Sequence, residues 1–224
     1  WGPATAPGWM RLWAYRAITH GACGINFFRW RTCRYGQEEY WHGILPHSGR
    51  ENRRYRELKR MGREIERFGS LIDGTRPKAS VAVLSSYESR WCLEGVLRLP
   101  AMSHERAVLR YHEALMAANV VTDGLDPRED LSGYRLVLAP RLYCTPPQVA
   151  ASLRGYVENG GTLLLTARSG VVDEHNRIFG DPAPGPLCEL AGVDVDDYGA
   201  LPDPLALRDA GGHFAADFAR GSVW

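Results

Sequence analysis

Past residue 78, short apolar runs alternate with helix-patterned segments, and this alternation constrains the fold more than any other feature of the 224-residue chain. Val81-Ala82-Val83-Leu84 is a continuous apolar run, as expected of a strand buried on both faces of a parallel sheet. A helix is predicted around Glu105–Ala118, where Val108, Tyr111, Leu115 and Ala118 fall in register. Val120-Val121 reads as a short strand and Leu136-Val137-Leu138-Ala139-Pro140 as a stronger one. Pro146-Pro147 starts a helix whose Val149, Leu153 and Tyr156 face inward, and Gly160-Gly161 caps it. Thr162-Leu163-Leu164-Leu165 is then expected to be another buried strand. Strands alternating with helices imply a doubly wound parallel sheet covered on both sides. From about Ser169 onward Gly, Pro and Asp dominate, and no element is assigned.

The residues before Asp73-Gly74-Thr75-Arg76-Pro77, a turn and linker sequence, have a different character. Pro7-Gly8 opens a helix carrying Met10, Trp13, Ala14 and Ala17, which the glycines at 21 and 24 end. Ile25-Asn26-Phe27-Phe28 is expected as a short strand, and a second helix places Leu58, Met61, Ile65 and Phe68 on one stripe. Helix, strand, rich loop and helix is the pattern of the closing units of a β/α repeat. Between strand and second helix lies FFRWRTCRYGQEEYWHG, residues 27–43, dense in aromatics, arginines, two glutamates and a histidine. In a β/α barrel Phe27 and Phe28 would be interior, and the loop from Arg29 would emerge into the active site. Such a loop offers stacking faces to sugar C–H surfaces and hydrogen bonds to hydroxyls. From the residues alone, an equally good reading makes Trp30, Tyr40 and Trp41 core and the charges solvated.

Several function classes are disfavoured. A net charge of +1 gives no field to gather nucleic acid or an anionic membrane. No apolar run approaches the roughly 18–20 residues that span a bilayer. There is no GxGxxG after residues 81–84 and no GxxxxGK[ST], so no nucleotide or other cofactor is expected. Cys144 follows a strand as a nucleophile might, but it lacks a tight glycine elbow and a patterned histidine. Cys23, Cys33, His20 and His42 match no standard metal-ligand spacing. Five scattered cysteines without a CxxC pair read as reduced thiols of a cytoplasmic protein. There is no initiator methionine or signal-peptide pattern, and the termini close no recognisable element, so a piece of a longer protein is expected.

Trp1-Gly2-Pro3, Pro7-Gly8, His20-Gly21-Ala22, Phe28-Arg29-Trp30-Arg31, Glu39 with His42-Gly43, and His47-Ser48-Gly49 together resemble glycoside hydrolase family 42, the trimeric β-galactosidases. The resemblance continues through VAVL, GYRLVLAP, YVENGGTLLLT and SGVVDEHNRIFG, which are similar to that family's trimerisation domain. It implies an α/β chain in two parts. Residues 1–74 would be the C-terminal β/α units of a TIM barrel. Residues 75–224 would be a flavodoxin-like (class I glutamine amidotransferase-like) trimerisation domain, incomplete at its C-terminus. It also implies a cofactor-free retaining β-galactosidase and a homotrimer acting on terminal β-galactosides.

In the family the acid/base follows the fourth barrel strand and the nucleophile lies on the seventh, so both catalytic glutamates are expected upstream of Trp1. Glu38 and Glu39 are no substitute, since adjacent residues cannot flank a sugar ring at the required separation of about 5 Å. Substrate binding carries over to Trp1, which matches a tryptophan lining the galactose site, and to Glu39 and His42, which match the pair holding galactose hydroxyls. Glu39 and His42 are expected on one face of a helical turn, with Glu38 a solvated surface charge. Arg29, Trp30 and Arg31 match the strand-end motif without individual roles. Two rival classes stand beside this reading: a non-catalytic subunit-association module, and an amidotransferase-like catalytic role for the second part centred on Cys144.

Overall fold

The computed structural model describes residues 4–98, 102–200, 205–208, 214–218 and 222–223, with side-chain environments through 198. It divides into two compact units, Trp1–Lys78 and Ala79–Trp224.

The first unit is built on two helices, α1 (Trp9–Thr19) and α2 (Arg53–Ile72). Gly8 takes a left-handed φ of 87° at the start of α1, where a side chain would be strained. The Glu57 carboxylate, from α2, accepts from the backbone N–H groups of Gly8 (3.0 Å) and Arg11 (3.1 Å). It thus caps α1 with a negative charge at the positive end of its dipole. Asn52 caps α2 by accepting from the Tyr55 N–H. The stripe expected on α2 is present: Met61 is buried, and Leu58, Ile65 and Phe68 are half-buried. On α1, Met10 and Ala14 are buried, whereas Trp13 is about half exposed.

Glu64 fastens α1 to α2. It accepts from Arg11 Nη2 at 2.6 Å, from the Tyr15 hydroxyl at 2.6 Å and from Arg60 Nε at 2.9 Å. Hydrogen bonds from Tyr15 and then Arg11 pull its carboxyl from the ordinary value near 4.5 down to about 2. A depressed carboxylate contributes stability above its unfolded pKa and loses it as pH falls through the folded one. The stability gap between wild type and Glu64→Gln is therefore expected to be full above pH 4.5 and to close towards pH 2. Urea midpoints for both proteins between pH 2 and 7 check this, and a gap independent of pH would contradict it.

Ile25–Phe28 is not a strand. No described segment pairs with it, and Phe28, expected in an interior, is 69% exposed. Apolar content does not make a strand unless a neighbour shares its hydrogen-bond ladder. Pairing begins three residues later, where Arg31 bridges Leu45 in parallel.

The second unit holds a four-stranded, all-parallel sheet in the order β2-β1-β3-β4. The strands are β1 (Val81–Leu84), β2 (Thr122–Leu125), β3 (Leu136–Ala139) and β4 (Thr162–Leu165). Val81 stands opposite both Thr122 and Leu136, and Leu136 opposite Thr162. After β1 come a short helix α3 (Tyr87–Arg90) and a π-helical turn, Trp91–Val96.

Two longer helices cover opposite faces of the sheet. On α4 (His104–Ala117), Val108, Tyr111 and Leu115 pack on Val81, Val83 and Leu138. On α5 (Pro147–Glu158), Val149, Leu153 and Tyr156 pack with Ala82, Leu84, Val137 and Ala139. Both central strands are thus enclosed, which is why their sequences are continuously apolar. After α5, Gly160 has φ +91°, and a Cβ on Gly161 would lie 2.3 Å from the Tyr156 ring, so both positions need glycine.

Two strands differ from expectation. β2 occupies Thr122–Leu125 rather than Val120-Val121. Val120 tucks under α4 and Val121 is half exposed, while Asp123, inside the strand, accepts from the Tyr134 hydroxyl at 2.8 Å. Pairing with β1 sets the register there, against the low strand preference of Asp and Gly. β4 is exposed on one side rather than buried on both. Leu163 and Leu165 pack on the α5 side, while Leu164 remains 38% exposed at the outermost position of the described sheet.

Beyond β4 the chain forms a 3-10 turn at Gly185–Leu187 and a short helix α6 (Cys188–Ala191). Two small antiparallel pairs follow: β5 (Gly199–Ala200) with β8 (Ser222–Val223), and β6 (Leu205–Arg208) with β7 (Phe214–Phe218).

Candidate functional site

The stretch from Arg29 to His47 folds back on itself as a closed loop. Its base is a short parallel pairing: Ile44 and Leu45 donate to the carbonyls of Arg29 and Trp30, both at 2.8 Å, and Thr32 donates to Leu45 O at 2.9 Å. The Thr32 side chain, only 3% exposed, reinforces it by accepting from Gly43 N and donating to Leu45 O. Gly43 sits so close that a Cβ would lie 2.5 Å from Thr32 N and 2.6 Å from the Arg31 carbonyl carbon. No other residue fits there without separating the two backbones.

The far end of the loop is a tight turn. Gly36 supplies a φ of +83°, and Glu39 N donates to Gly36 O while Trp41 N donates to Glu38 O. Two ties hold this turn to the base. Glu38 makes a direct ion pair with Arg29, whose guanidinium also stacks over the Phe28 ring at 4.8 Å. His47 donates from Nε2 to the Glu39 carbonyl at 2.6 Å.

Between these ties, the Glu39 carboxylate and the His42 imidazole make no hydrogen bond or ion pair with any described residue. Glu39 is half-buried and His42 exposed. The same stretch carries exposed rings: Phe28, Trp30, Tyr35, Tyr40 and Trp41. Phe28 meets Trp41 edge-on at 6.3 Å, and Trp30 meets Tyr55 at 6.0 Å. A carboxylate can accept from two neighbouring hydroxyls and an imidazole can serve a third. Together with aromatic faces, this set is suited to a polyhydroxylated ligand.

Three expectations need correction or placing. Glu39 and His42 lie on a turn and the residues just after it, not on a helical turn, because the main-chain bonds span three residues and stop at Trp41. Glu38 is not a free solvated charge, since Arg29 reaches it across nine residues. Trp1 lies outside the described residues. The closures by Arg29–Glu38, Thr32–Gly43 and His47 were not legible beforehand; only the glycine at 43 hinted at a close backbone approach.

The second unit offers no comparable site at Cys144. Its thiol is 2% exposed and lies 3.3 Å from the Asp173 carbonyl oxygen, and burial pushes its pKa up to about 12. A thiol so strongly protonated is not a nucleophile. The buried His104 is committed elsewhere, accepting from Ser86 N at 2.9 Å and lying 3.2 Å from Arg141 O. Among the described residues no group of three or more His, Cys, Asp or Glu is placed to hold a metal ion. No helix among them is long and apolar enough to cross a membrane.

Residues 79–213 match the family described as the β-galactosidase trimerisation domain, and residues 1–68 match the β-galactosidase family. The chain is 39% identical over 206 residues to β-galactosidase BgaH of Haloferax lucentense, covering 92% of this chain and 30% of that protein. It is 37% identical to β-galactosidase BgaB of a Geobacillus species, covering 88% of this chain and 30% of that protein. Among solved structures, the β-galactosidase from Bacillus circulans sp. alkalophilus superposes with a TM-score of 0.85 at 33% identity. That superposition covers 99% of this chain and 34% of that one. The chain thus spans about a third of the length of these proteins.

Proposed function

Since the chain belongs to glycoside hydrolase family 42, we propose that it is the sugar-binding and subunit-association part of a retaining β-galactosidase acting on terminal β-D-galactosides. In this reading residues 1–74 are the last β/α units of a TIM barrel and 75–224 a flavodoxin-like trimerisation domain. The strand order β2-β1-β3-β4 supports the latter, as the beginning of the doubly wound order 2-1-3-4-5. The assembly is a homotrimer, the setting cytoplasmic, in keeping with five free thiols. Trp1, Glu39 and His42 contact galactose. On the family resemblance both catalytic glutamates lie outside these 224 residues. The adjacent pair in the loop does not replace them, since Glu38 is engaged by Arg29 and Glu39 beside it cannot stand on the opposite side of the same sugar.

The observation that carries the reading is the loop itself, which commits Arg29, Thr32, Glu38 and His47 to its own closure and leaves the Glu39 carboxylate and His42 imidazole without a partner among the described residues. The test follows an aryl β-galactoside by proton NMR with the full-length polypeptide and with the 224-residue chain alone. The full-length protein is expected to release β-galactose as the first-formed anomer, and the chain alone to release none. First-formed α-galactose, or turnover by the chain alone, would overturn the proposal.

A further inference from the structure

The Arg29–Glu38 pair spans nine residues and ties the turn to the base of the loop, as the His47–Glu39 contact does from the other end of the stretch. Arg29 is itself well anchored: its carbonyl accepts from Ile44 N at 2.8 Å, and its guanidinium rests on Phe28. Glu38 and Glu39 are consecutive, so fixing the side chain of one and the carbonyl of the other fixes the peptide between them. We infer that Glu38 and Arg29 are positioning residues that hold the turn from Gly36 to Tyr40 so that the Glu39 carboxylate meets the sugar hydroxyls. This inference rests on the proposed galactose contact of Glu39.

As a source of stability the pair is unimportant. The two side chains are 20% and 41% exposed, and ion pairs so placed contribute little to folding. Its effect is geometric. Glu38 makes no contact with substrate in this scheme; it acts through its neighbour. Losing it loosens the turn, so that the Glu39 carboxylate samples positions away from the hydroxyls.

The test is a kinetic double-mutant cycle in the full-length enzyme. Glu38→Gln should lower kcat/KM on an aryl β-galactoside roughly tenfold, less than the hundredfold that a full ångström of misplacement costs. The loss should fall mainly on KM, because hydroxyl contacts operate in substrate and transition state alike. In a Glu39→Gln background the same substitution should cost nothing further, since the group it positions is gone. Exchanging the charges, Arg29→Glu with Glu38→Arg, should restore most of the activity that either single change removes. If Glu38→Gln is as active as wild type, or its loss adds in full to that of Glu39→Gln, the positioning role is wrong while the galactose contact stands. If Glu39→Gln itself loses nothing, the galactose contact fails and the positioning role falls with it.

Discussion

Leu153→Ala should lower the unfolding free energy of the second unit by about 2–5 kcal/mol, the range for removing a leucine from a close-packed interior. Leu153 is completely buried in the middle of α5, between Val149 and Tyr156, against Ala82, Leu84, Val137 and Ala139. The residues around it are equally constrained: Leu142 and Leu187, in the same cluster, are also fully buried. Neighbours held by strands on one side and by the 185–187 turn on the other have little freedom to close a cavity, which favours the upper half of the range. Domains of this size are stable by only about 5–15 kcal/mol, so the change would take a large fraction of the total. Urea unfolding followed by tyrosine and tryptophan fluorescence measures it, with Leu164→Ala as the comparison. Leu164 is on the exposed side of β4 and should cost well under half as much. A Leu153→Ala loss below about 1 kcal/mol would mean that α5 does not pack on the sheet as described.

How much of this was legible beforehand depends on whether the determining interaction was local. β1 and β3 announce themselves because both faces of each are covered, leaving no position for a polar residue. α2 was legible from the spacing of Leu58, Met61, Ile65 and Phe68. β2 was not, because Thr122-Asp123-Gly124-Leu125 becomes a strand only through its pairing with β1. Ile25–Phe28 erred the other way, apolar enough for a strand but with no partner among the described residues. In the proposed site, residue types and the spacing of Glu39 and His42 singled out the loop, but not how it closes. The ion pair closing that loop joins residues nine apart on an irregular path, where neither helical nor strand periodicity applies.

The account as a whole depends on Glu39 touching the sugar, and Glu39→Gln in the full-length enzyme tests that most directly. The substitution keeps size and shape while replacing a charged acceptor by a neutral amide. Hydrogen bonds to a charged group contribute roughly 1.5–3 kcal/mol, or about 10- to 150-fold in kcat/KM. Glu38 is unsuitable as the control, because its pairing with Arg29 ties it to the same turn. Glu66, exposed on α2, serves instead as a carboxylate remote from the loop. The measurement is kcat/KM on an aryl β-galactoside for Glu39→Gln against Glu66→Gln, with Tm recorded for both. The account predicts a fall of about 10- to 150-fold for Glu39→Gln alone, with both melting temperatures unchanged; equal kcat/KM for the two variants would contradict it.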